Sequence, residues 1–239
     1  MMTSLMFPDK KHIASVSFGK DSLAMLLILI ANKKPLDEVV FYNTGKEFKA
    51  IYDTRDKVLP LLKDNSIKYT ELYPDMPFDY VAFEKPVSGR NGAHLGYSWC
   101  GGTCRWGTTA KLKALKQHIG DNIYYVAIAA DEQCRILKNQ HPNRRLPLVD
   151  WGLTEKDTLQ YCYSKGYEWI ENGYRLYDLL DRVSCFCCSN KNLKELRNIY
   201  TYLPEYWQRL LKMQERTNRP IKYNYTVFDL QEKFRSENQ

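Results

Sequence analysis

The most constraining feature of the sequence is a short polar loop between an apolar strand pattern and an apolar helix pattern. Residues 12–17 predict a buried strand, and residues 22–31 predict a helix that is apolar on most faces. Between them lies Ser17-Phe18-Gly19-Lys20-Asp21-Ser22. Small residues at such a junction let backbone N–H groups close around an anion, with the positive end of the helix dipole behind them. The loop therefore predicts a phosphate site.

The residues of this loop suggest separate roles at a phosphate. Gly19 would give backbone freedom and Lys20 positive charge, while Asp21 would cap the helix or face the metal ion of a nucleotide. The spacing of a Walker A loop is absent, and an ordinary strand-to-helix turn is the alternative. The predicted contact set is Ser15, Ser17, Phe18, Gly19, Lys20, Asp21 and Ser22.

The pattern along the chain alternates between strands and helices. Further strands are predicted at 37–42, 67–72 and 122–130, and further helices at 48–63, 108–118 and 154–165, the last with Thr154 as N-cap. This alternation predicts an α/β fold with an open, mostly parallel twisted sheet and helices on both faces. We predict a nucleotide-binding domain over 1–180 and a small helical, cysteine-bearing region over 181–239, whose last twenty residues are polar and expected to fray.

Composition restricts the environment and the partners. The 239 residues carry a formal charge of +7 but include 28 acidic residues, so anionic partners are favoured without indicating a dedicated nucleic-acid binder. No stretch has the pattern of a signal peptide or a membrane span, so we expect a cytoplasmic protein without membrane association. In that reducing compartment, seven cysteines favour metal binding or chemistry over disulfides.

Four segments together resemble a known family. Besides the loop, these are Asn43-Thr44-Gly45-Lys46-Glu47-Phe48, Ala130-Asp131-Glu132-Gln133-Cys134-Arg135, and Pro147-Leu148-Val149-Asp150-Trp151 followed by Thr154-Glu155-Lys156-Asp157. They are similar to motifs of the phosphoadenosine-phosphosulfate (PAPS) reductase branch of the PP-loop ATP pyrophosphatases, also called adenine nucleotide alpha-hydrolase-like proteins. Phe18 replaces the first glycine of the family's Ser-Gly-Gly-Lys-Asp-Ser.

The resemblance implies an adenine nucleotide, ATP with Mg²⁺, as the ligand. It implies further contacts to the nucleotide from Thr44, Gly45, Glu47, Arg105 and Lys111. Lys20, Asp21 and Arg135 are the implied catalytic residues, and a solvated helix face or loop is the alternative for Lys111 and Arg135.

The cysteines form two clusters. Cys100 and Cys104 lie in one loop, and Cys185, Cys187 and Cys188 lie in another. The layout resembles that of the [4Fe–4S] cluster in adenylylsulfate reductases, although there the first pair is adjacent. Four thiolates suit either an iron–sulfur cluster or Zn²⁺. The resemblance selects the ligands Cys100, Cys104, Cys185 and Cys188, with Cys187 as substitute, while free buried thiols are the alternative.

The reductases of this family use a cysteine in a C-terminal tail, and this sequence has none after Cys188. We therefore expect cleavage of ATP to pyrophosphate and an adenylyl intermediate, in sulfur transfer to a nucleic acid or small molecule. The alternatives are a PAPS or adenylylsulfate reductase that uses Cys134 or an external thiol, and a nucleotide-binding regulatory module without turnover. Expected partners are a sulfur donor protein (a cysteine desulfurase or thioredoxin), DNA or tRNA as acceptor, and a second copy in a homodimer.

Overall fold

The computed structural model describes residues 10–89, 92–99, 104–138 and 141–237. The strands are β1 (His12–Ser15), β2 (Glu38–Tyr42), β3 (Lys68–Leu72), β4 (Pro86–Gly89), β5 (Gly92–Leu95), β6 (Ile123–Val126), β7 (Arg144–Arg145), β8 (Ile170–Glu171) and β9 (Tyr174–Arg175). The α-helices are α1 (Lys20–Ala31), α2 (Lys49–Asp64), α3 (Lys111–Ile119), α4 (Gln133–Lys138), α5 (Pro147–Asp150), α6 (Glu155–Ser164), α7 (Leu176–Leu179), α8 (Leu193–Tyr202), α9 (Pro204–Gln214) and α10 (Val227–Glu237). Two π-helical turns span Tyr80–Glu84 and Arg105–Ala110.

The main sheet has five strands in the order β3-β2-β1-β6-β7, and all neighbours pair in parallel. Strand β2 is buried along its whole length, as expected for a strand covered on both faces. From β1 the chain continues to β2 on one side, and it later returns to β6 on the other. The carboxyl end of β1 is therefore a topological switch point, the position where open parallel sheets bind ligands. The predicted α/β fold class is confirmed.

Helix α1 is buried because its sequence is apolar almost all round. Leu23, Met25, Leu26 and Leu29 are at most 1% exposed. The helix begins at Lys20, two residues before the predicted start, so the second half of the polar loop forms its first turn.

The residue contacts divide the chain into two compact units. The first comprises Met1–Tyr42, Thr54–Leu72 and Ala114–Tyr167, and it contains the five-stranded sheet. The second comprises Asn43–Asp53, Tyr73–Lys113 and Glu168–Gln239. It contains the antiparallel pairs β4–β5 and β8–β9 and the helices α7 to α10. The boundary predicted at residue 180 lies inside the second unit.

The prediction for the last twenty residues was wrong. The expected fraying does not describe α10, in which Val227, Leu230 and Phe234 are buried and Phe234 packs on Trp207 with ring centroids 5.8 Å apart. These three residues follow helical spacing, but the polar and charged residues between them make the segment look hydrophilic in the sequence. At the start of α8, Asn192 is the N-cap. None of the helices in the described ranges is long and apolar enough to cross a bilayer.

A buried carboxylate joins three elements of the first unit. Glu38 is 4% exposed, and its Oε1 accepts hydrogen bonds from Thr70 Oγ1 (2.5 Å) and His118 Nε2 (2.9 Å). Lys68 Nζ lies 3.2 Å from the same oxygen. Burial alone would raise the pKa of Glu38, but the hydrogen bonds from these three residues outweigh it and hold the pKa below its usual value.

We expect Glu38→Gln to lower the free energy of unfolding at pH 7 by about 1–3 kcal/mol, since the amide cannot accept every donor of a charged network. Because the folded pKa is depressed, the stabilisation is present above the ordinary value of 4.5 and is lost as the pH falls through the folded pKa. The difference in the free energy of unfolding between wild type and Glu38→Gln should therefore become smaller in acid. Urea unfolding at pH 7 and pH 4 measures it, with Glu232→Gln on the exposed side of α10 as the control. Equal stability of wild type and Glu38→Gln at pH 7 would contradict the prediction.

Candidate functional site

The phosphate loop, residues 17–22, connects β1 to α1 and is closed by Ser22. The Ser22 hydroxyl accepts a hydrogen bond from the Ser17 N–H (3.1 Å), lies 3.1 Å from the Ser17 hydroxyl and reaches the Gly19 carbonyl at 3.1 Å. Gly19 is the N-cap residue of α1 and has no side chain with which to cap it. The first N–H groups of α1 are therefore not capped by the preceding residue, as an anion site requires.

Phe18 occupies the loop position at which the family's motif has its first glycine. Its backbone has φ +58°, a left-handed conformation that glycine adopts at little cost. Its side chain is fully buried and packs edge-on against Phe41 with ring centroids 5.3 Å apart. Burial of the ring offsets the backbone strain. Phe18 was predicted to contact the cofactor, and with its ring in the core only its backbone is available for that.

The cation of the loop is buried and held by two carboxylates. The Lys20 side chain is 8% exposed, and its Nζ lies 2.8 Å from Asp21 Oδ1 and 2.9 Å from Glu155 Oε2. Thr158 Oγ1 donates to the same Asp21 oxygen at 2.5 Å. Burial raises the pKa of Asp21, while Lys20 opposes this rise. Helix α6 thus fixes the position of the lysine through Glu155 and Thr158, neither of which is among the predicted site residues.

The start of α6 and the segment after β6 complete the polar surface in the first unit. Asp131 Oδ1 accepts a hydrogen bond from the Glu155 N–H (3.1 Å). Arg135, on α4, is half-exposed, and its guanidinium donates to both carboxylate oxygens of Glu132 at 2.5 and 2.7 Å. The predicted catalytic arginine is therefore paired with Glu132, the residue directly before α4. Ser15 is the last residue of β1, directly before the loop.

The Thr-x-x-Asp segment has a structural role that is visible locally. The Thr154 side chain accepts from the Asp157 N–H, and the Asp157 carboxylate accepts from the Thr154 N–H. This is a capping box, which confirms Thr154 as the N-cap of α6. Thr226 and Asp229 form the same pair of hydrogen bonds before α10.

The segment after β2 belongs to the second unit and is folded tightly on itself. Asn43 Oδ1 accepts from the Gly45 N–H at 2.8 Å, and Gly45 has φ +71°, which favours glycine. Thr44 Oγ1 donates to Glu47 Oε1 at 2.9 Å. The predicted nucleotide contacts Thr44, Gly45 and Glu47 therefore form one local turn.

Lys111, the other predicted cation in this unit, is the first residue of α3. Arg105 opens a π-helical turn, and its side chain lies outside the described part of the structure.

Four cysteines of the second unit line one cavity of about 470 Å³. The cysteine cavity, as we call it, is lined by Cys104, Cys185, Cys187, Cys188 and Lys191, among others. Cys100, a predicted ligand, lies outside the described residues. The structure thus brings the two cysteine loops together and places Cys187, the predicted substitute, beside the others.

The thiols of this cavity could bind a cation as thiolates, but the described side chains do not surround a single metal position. Burial raises the pKa of Cys185 well above its usual value, and burial raises the pKa of Cys187 to about 12. Without a cation these thiols stay protonated at neutral pH, and a bound metal would favour the thiolates. Cys104 Sγ accepts from the Gly107 N–H at 3.1 Å, and Cys185 Sγ lies 3.3 Å from Thr44 Oγ1. Within the described ranges, no three His, Cys, Asp or Glu side chains form a ready metal-binding group.

Two further cysteines lie in the first unit. Cys162 is fully buried on α6, as predicted for a core residue, and its thiol donates to the Lys20 carbonyl at 3.3 Å. Burial, followed by the charge of Asp21, raises its pKa to about 12. Cys134 is exposed on α4. Of these two, only Cys134 has the exposure that a nucleophilic thiol requires.

An open parallel sheet with a glycine-containing phosphate loop at its switch point defines a class of nucleotide-binding α/β proteins. Residues 11–122 match the sequence profile of the phosphoadenosine phosphosulfate reductase domain. This match agrees with the resemblance seen in the motifs, and residues 11–122 are similar to that domain.

Two individual proteins are also similar to the chain. An uncharacterized protein of Methanocaldococcus jannaschii is 27% identical over 223 residues, an alignment covering 84% of this chain and 40% of that protein. The chain thus spans less than half the length of this relative. The U34-tRNA thiolase NcsA from Methanococcus maripaludis, solved with its [4Fe–4S] cluster, superposes with a TM-score of 0.47 at 12% identity. That superposition covers 99% of this chain and 75% of the thiolase.

Proposed function

We propose that this protein binds ATP with Mg²⁺ at the phosphate loop and cleaves it between the α and β phosphates. The observation that carries the proposal is the buried Lys20 at the start of α1, directly beyond the switch point of the sheet. A lysine, two serine hydroxyls and the N-terminus of a twelve-residue helix converge there on one loop. These groups stabilise negative charge on phosphate oxygens.

The proposed reaction transfers an adenylyl group. An oxygen of the acceptor attacks the α-phosphorus and forms a new P–O bond. The bond from the α-phosphorus to the bridging oxygen breaks, and its electron pair leaves with pyrophosphate. Lys20 and the helix N-terminus stabilise the charge that grows on the leaving group, and Mg²⁺ bound with ATP would neutralise part of the phosphate charge. A sulfur nucleophile then displaces AMP from the activated acceptor.

For the cysteine cavity we propose a [4Fe–4S] cluster, with Zn²⁺ as the alternative. Cys104, Cys185 and Cys188 would be ligands together with Cys100, and Cys187, which lines the same cavity, would be the substitute. The donor set fits, since four soft sulfur ligands suit both metals. A bound cluster would supply a soft metal centre able to hold a sulfur atom.

The proposed partners follow from the reaction. A cysteine desulfurase or thioredoxin would donate sulfur, and DNA or tRNA would accept it. The segment 138–145 contributes Lys138, Arg144 and Arg145, of which Arg144 and Arg145 form β7 at the edge of the sheet. Positive charge at an accessible sheet edge suits a polynucleotide backbone. A homodimer remains part of the proposal.

The competing function is reduction of PAPS or adenylylsulfate. It is favoured by the profile match itself, which is to a reductase domain, and by the exposure of Cys134. The third candidate function is nucleotide binding without turnover. It requires nucleotide contacts but no catalytic groups.

The deciding experiment compares products. We expect anaerobically purified protein to release pyrophosphate from ATP when DNA or tRNA acceptors and a sulfur donor are present. With thioredoxin and either sulfonucleotide it should release no sulfite. Sulfite release that Cys134→Ser abolishes, with no pyrophosphate from ATP, would make the protein a reductase. Tight ATP binding with neither product would support the module.

The ion pair between Lys20 and Glu155 predicts the effect of a single substitution on affinity. Glu155 competes with phosphate for the buried ammonium, so Glu155→Gln should tighten ATP binding. The carboxylate is 36% exposed and screened by solvent, and we therefore expect a gain of about two- to fivefold. Calorimetric titration with ATP measures it, and Glu232→Gln controls for net charge. Weaker binding in Glu155→Gln would show instead that Glu155 holds Lys20 in its binding position.

A further inference from the structure

Lys191 is a buried cation in the wall of the cysteine cavity. The residue is 2% exposed, and its Nζ lies 3.3 Å from both the Arg182 carbonyl and the Ser184 hydroxyl. The ring of Phe48 lies beneath the ammonium, with its centroid 5.4 Å from Nζ. Across the described ranges, no carboxylate forms an ion pair with this lysine.

The charge of one buried carboxylate, Glu195, acts on Lys191, but within the described residues the two form no ion pair. Glu195 is also buried, but its carboxylate accepts from the Asn192 N–H at 2.8 Å and from the Arg182 N–H at 3.4 Å. The bond from Asn192 completes the capping box of α8, and both bonds direct the carboxylate to backbone donors. A buried ammonium in contact with only two neutral oxygens and an aromatic face, with one carboxylate beyond ion-pair distance, is stabilised by further negative charge. The other side of the lysine faces the cavity that the four cysteines line.

We propose that Lys191 is a positioning residue whose positive charge balances the thiolates of a metal centre in the cysteine cavity. The inference rests on the metal centre proposed above. An ammonium group has no lone pair and cannot itself be a ligand. Four thiolates around Zn²⁺ or a [4Fe–4S] cluster leave an excess of negative charge. A buried cation in the cavity wall would stabilise that charge.

Loss of the charge should weaken the metal centre without removing a ligand. Outer partners of metal ligands commonly change metal affinity by about 10–100-fold. We expect a loss of this size when Lys191 is replaced by a neutral side chain. If the metal is iron, the reduction potential should also become more negative, because reduction adds an electron to a site that has lost a positive neighbour.

The experiment compares three substitutions of Lys191 in the full-length protein. Lys191→Met and Lys191→Gln remove the charge, and the glutamine keeps a donor for the Arg182 carbonyl. Lys191→Arg keeps the charge. Lys194→Met, on the exposed side of the same helix start, is the matched control. The measurements are metal retained against a chelator series, the potential of any iron centre, and thermal unfolding by circular dichroism.

Metal retention should fall in the methionine and glutamine variants but not in Lys191→Arg or Lys194→Met. If Lys191→Met does not fold, the glutamine variant decides by the same criterion. Equal retention and potential in wild type and both neutral variants would overturn this inference alone. Wild-type protein that binds neither iron nor zinc would overturn the inference together with the proposed metal centre.

Discussion

Replacing Lys20 with methionine is expected to weaken ATP binding by about tenfold to a hundredfold. Hydrogen bonds to charged groups contribute about 1.5–3 kcal/mol each, and every 1.4 kcal/mol is a factor of ten in Kd. Lys20 is the cation that the structure places inside the phosphate loop, where its burial limits screening by water. Since its two carboxylate partners would remain, the variant should also repel phosphate more strongly than the wild type does.

The measurement is calorimetric titration of ATP with Mg²⁺ into folded variants. Lys34→Met removes the same charge from an exposed position beyond α1 and should leave the Kd unchanged. Because methionine leaves Asp21 and Glu155 without their cation, we include Lys20→Met combined with Glu155→Gln. This double variant retains less buried charge but should still bind ATP weakly. Wild-type affinity in both variants, with intact circular dichroism spectra, would refute the phosphate loop as the ATP site.

The sequence predicts four of the five strands of the main sheet because their signals are local, and it does not predict β7. Apolar strand patterns, a helix apolar on most faces and the intervening polar loop each depend on neighbouring residues, and the structure confirms all three. The observed ends of strands and helices differ from the predicted ends where the chain turns. The last predicted strand of the sheet ends at Val126 rather than at 130, because the segment that follows turns towards α4.

Residues that contact the phosphate loop from distant positions in the chain were harder to predict from the sequence. Glu155 reaches Lys20 from a position 135 residues along the chain, and no local pattern announces such a contact. The Thr154 motif drew attention to the start of α6 for its family likeness, whereas the structure shows a capping box there. The residue of this helix start that contacts Lys20 is Glu155, which directly follows the cap. An acidic residue inside a capping box, additional to the one that the box uses, is the signal that could have identified it.

The cysteine cavity shows a different limit. The spacing of the cysteines predicted that two distant loops meet, and Cys104, Cys185, Cys187 and Cys188 do line one cavity. Spacing could not reveal Lys191, because a lysine three residues beyond a cysteine pair has the same local pattern whether it is buried or solvated. Its burial follows from tertiary packing around Phe48 and the start of α8.

Replacing Cys185 and Cys188 together with alanine is expected to abolish metal binding while ATP binding persists. Two of four sulfur ligands would be lost, and neither Zn²⁺ nor a cluster is held by the remaining thiols. The phosphate loop lies in the first compact unit and the cysteine cavity in the second, so loss of the metal leaves the loop residues intact. Iron, sulfide and zinc analysis of anaerobically purified protein gives the first result, and calorimetry with ATP gives the second.

Three single variants define the ligand set and control the measurement. Cys134→Ser changes the exposed thiol of α4 and should leave the metal content at the wild-type level. Cys188→Ala alone tests the substitute ligand, because Cys187 lines the same cavity and is positioned to replace the lost sulfur. Metal retained in Cys188→Ala but lost in Cys187→Ala would exchange the roles assigned to these two residues. Wild-type metal content in the Cys185→Ala, Cys188→Ala double variant would remove the metal centre from this cavity altogether.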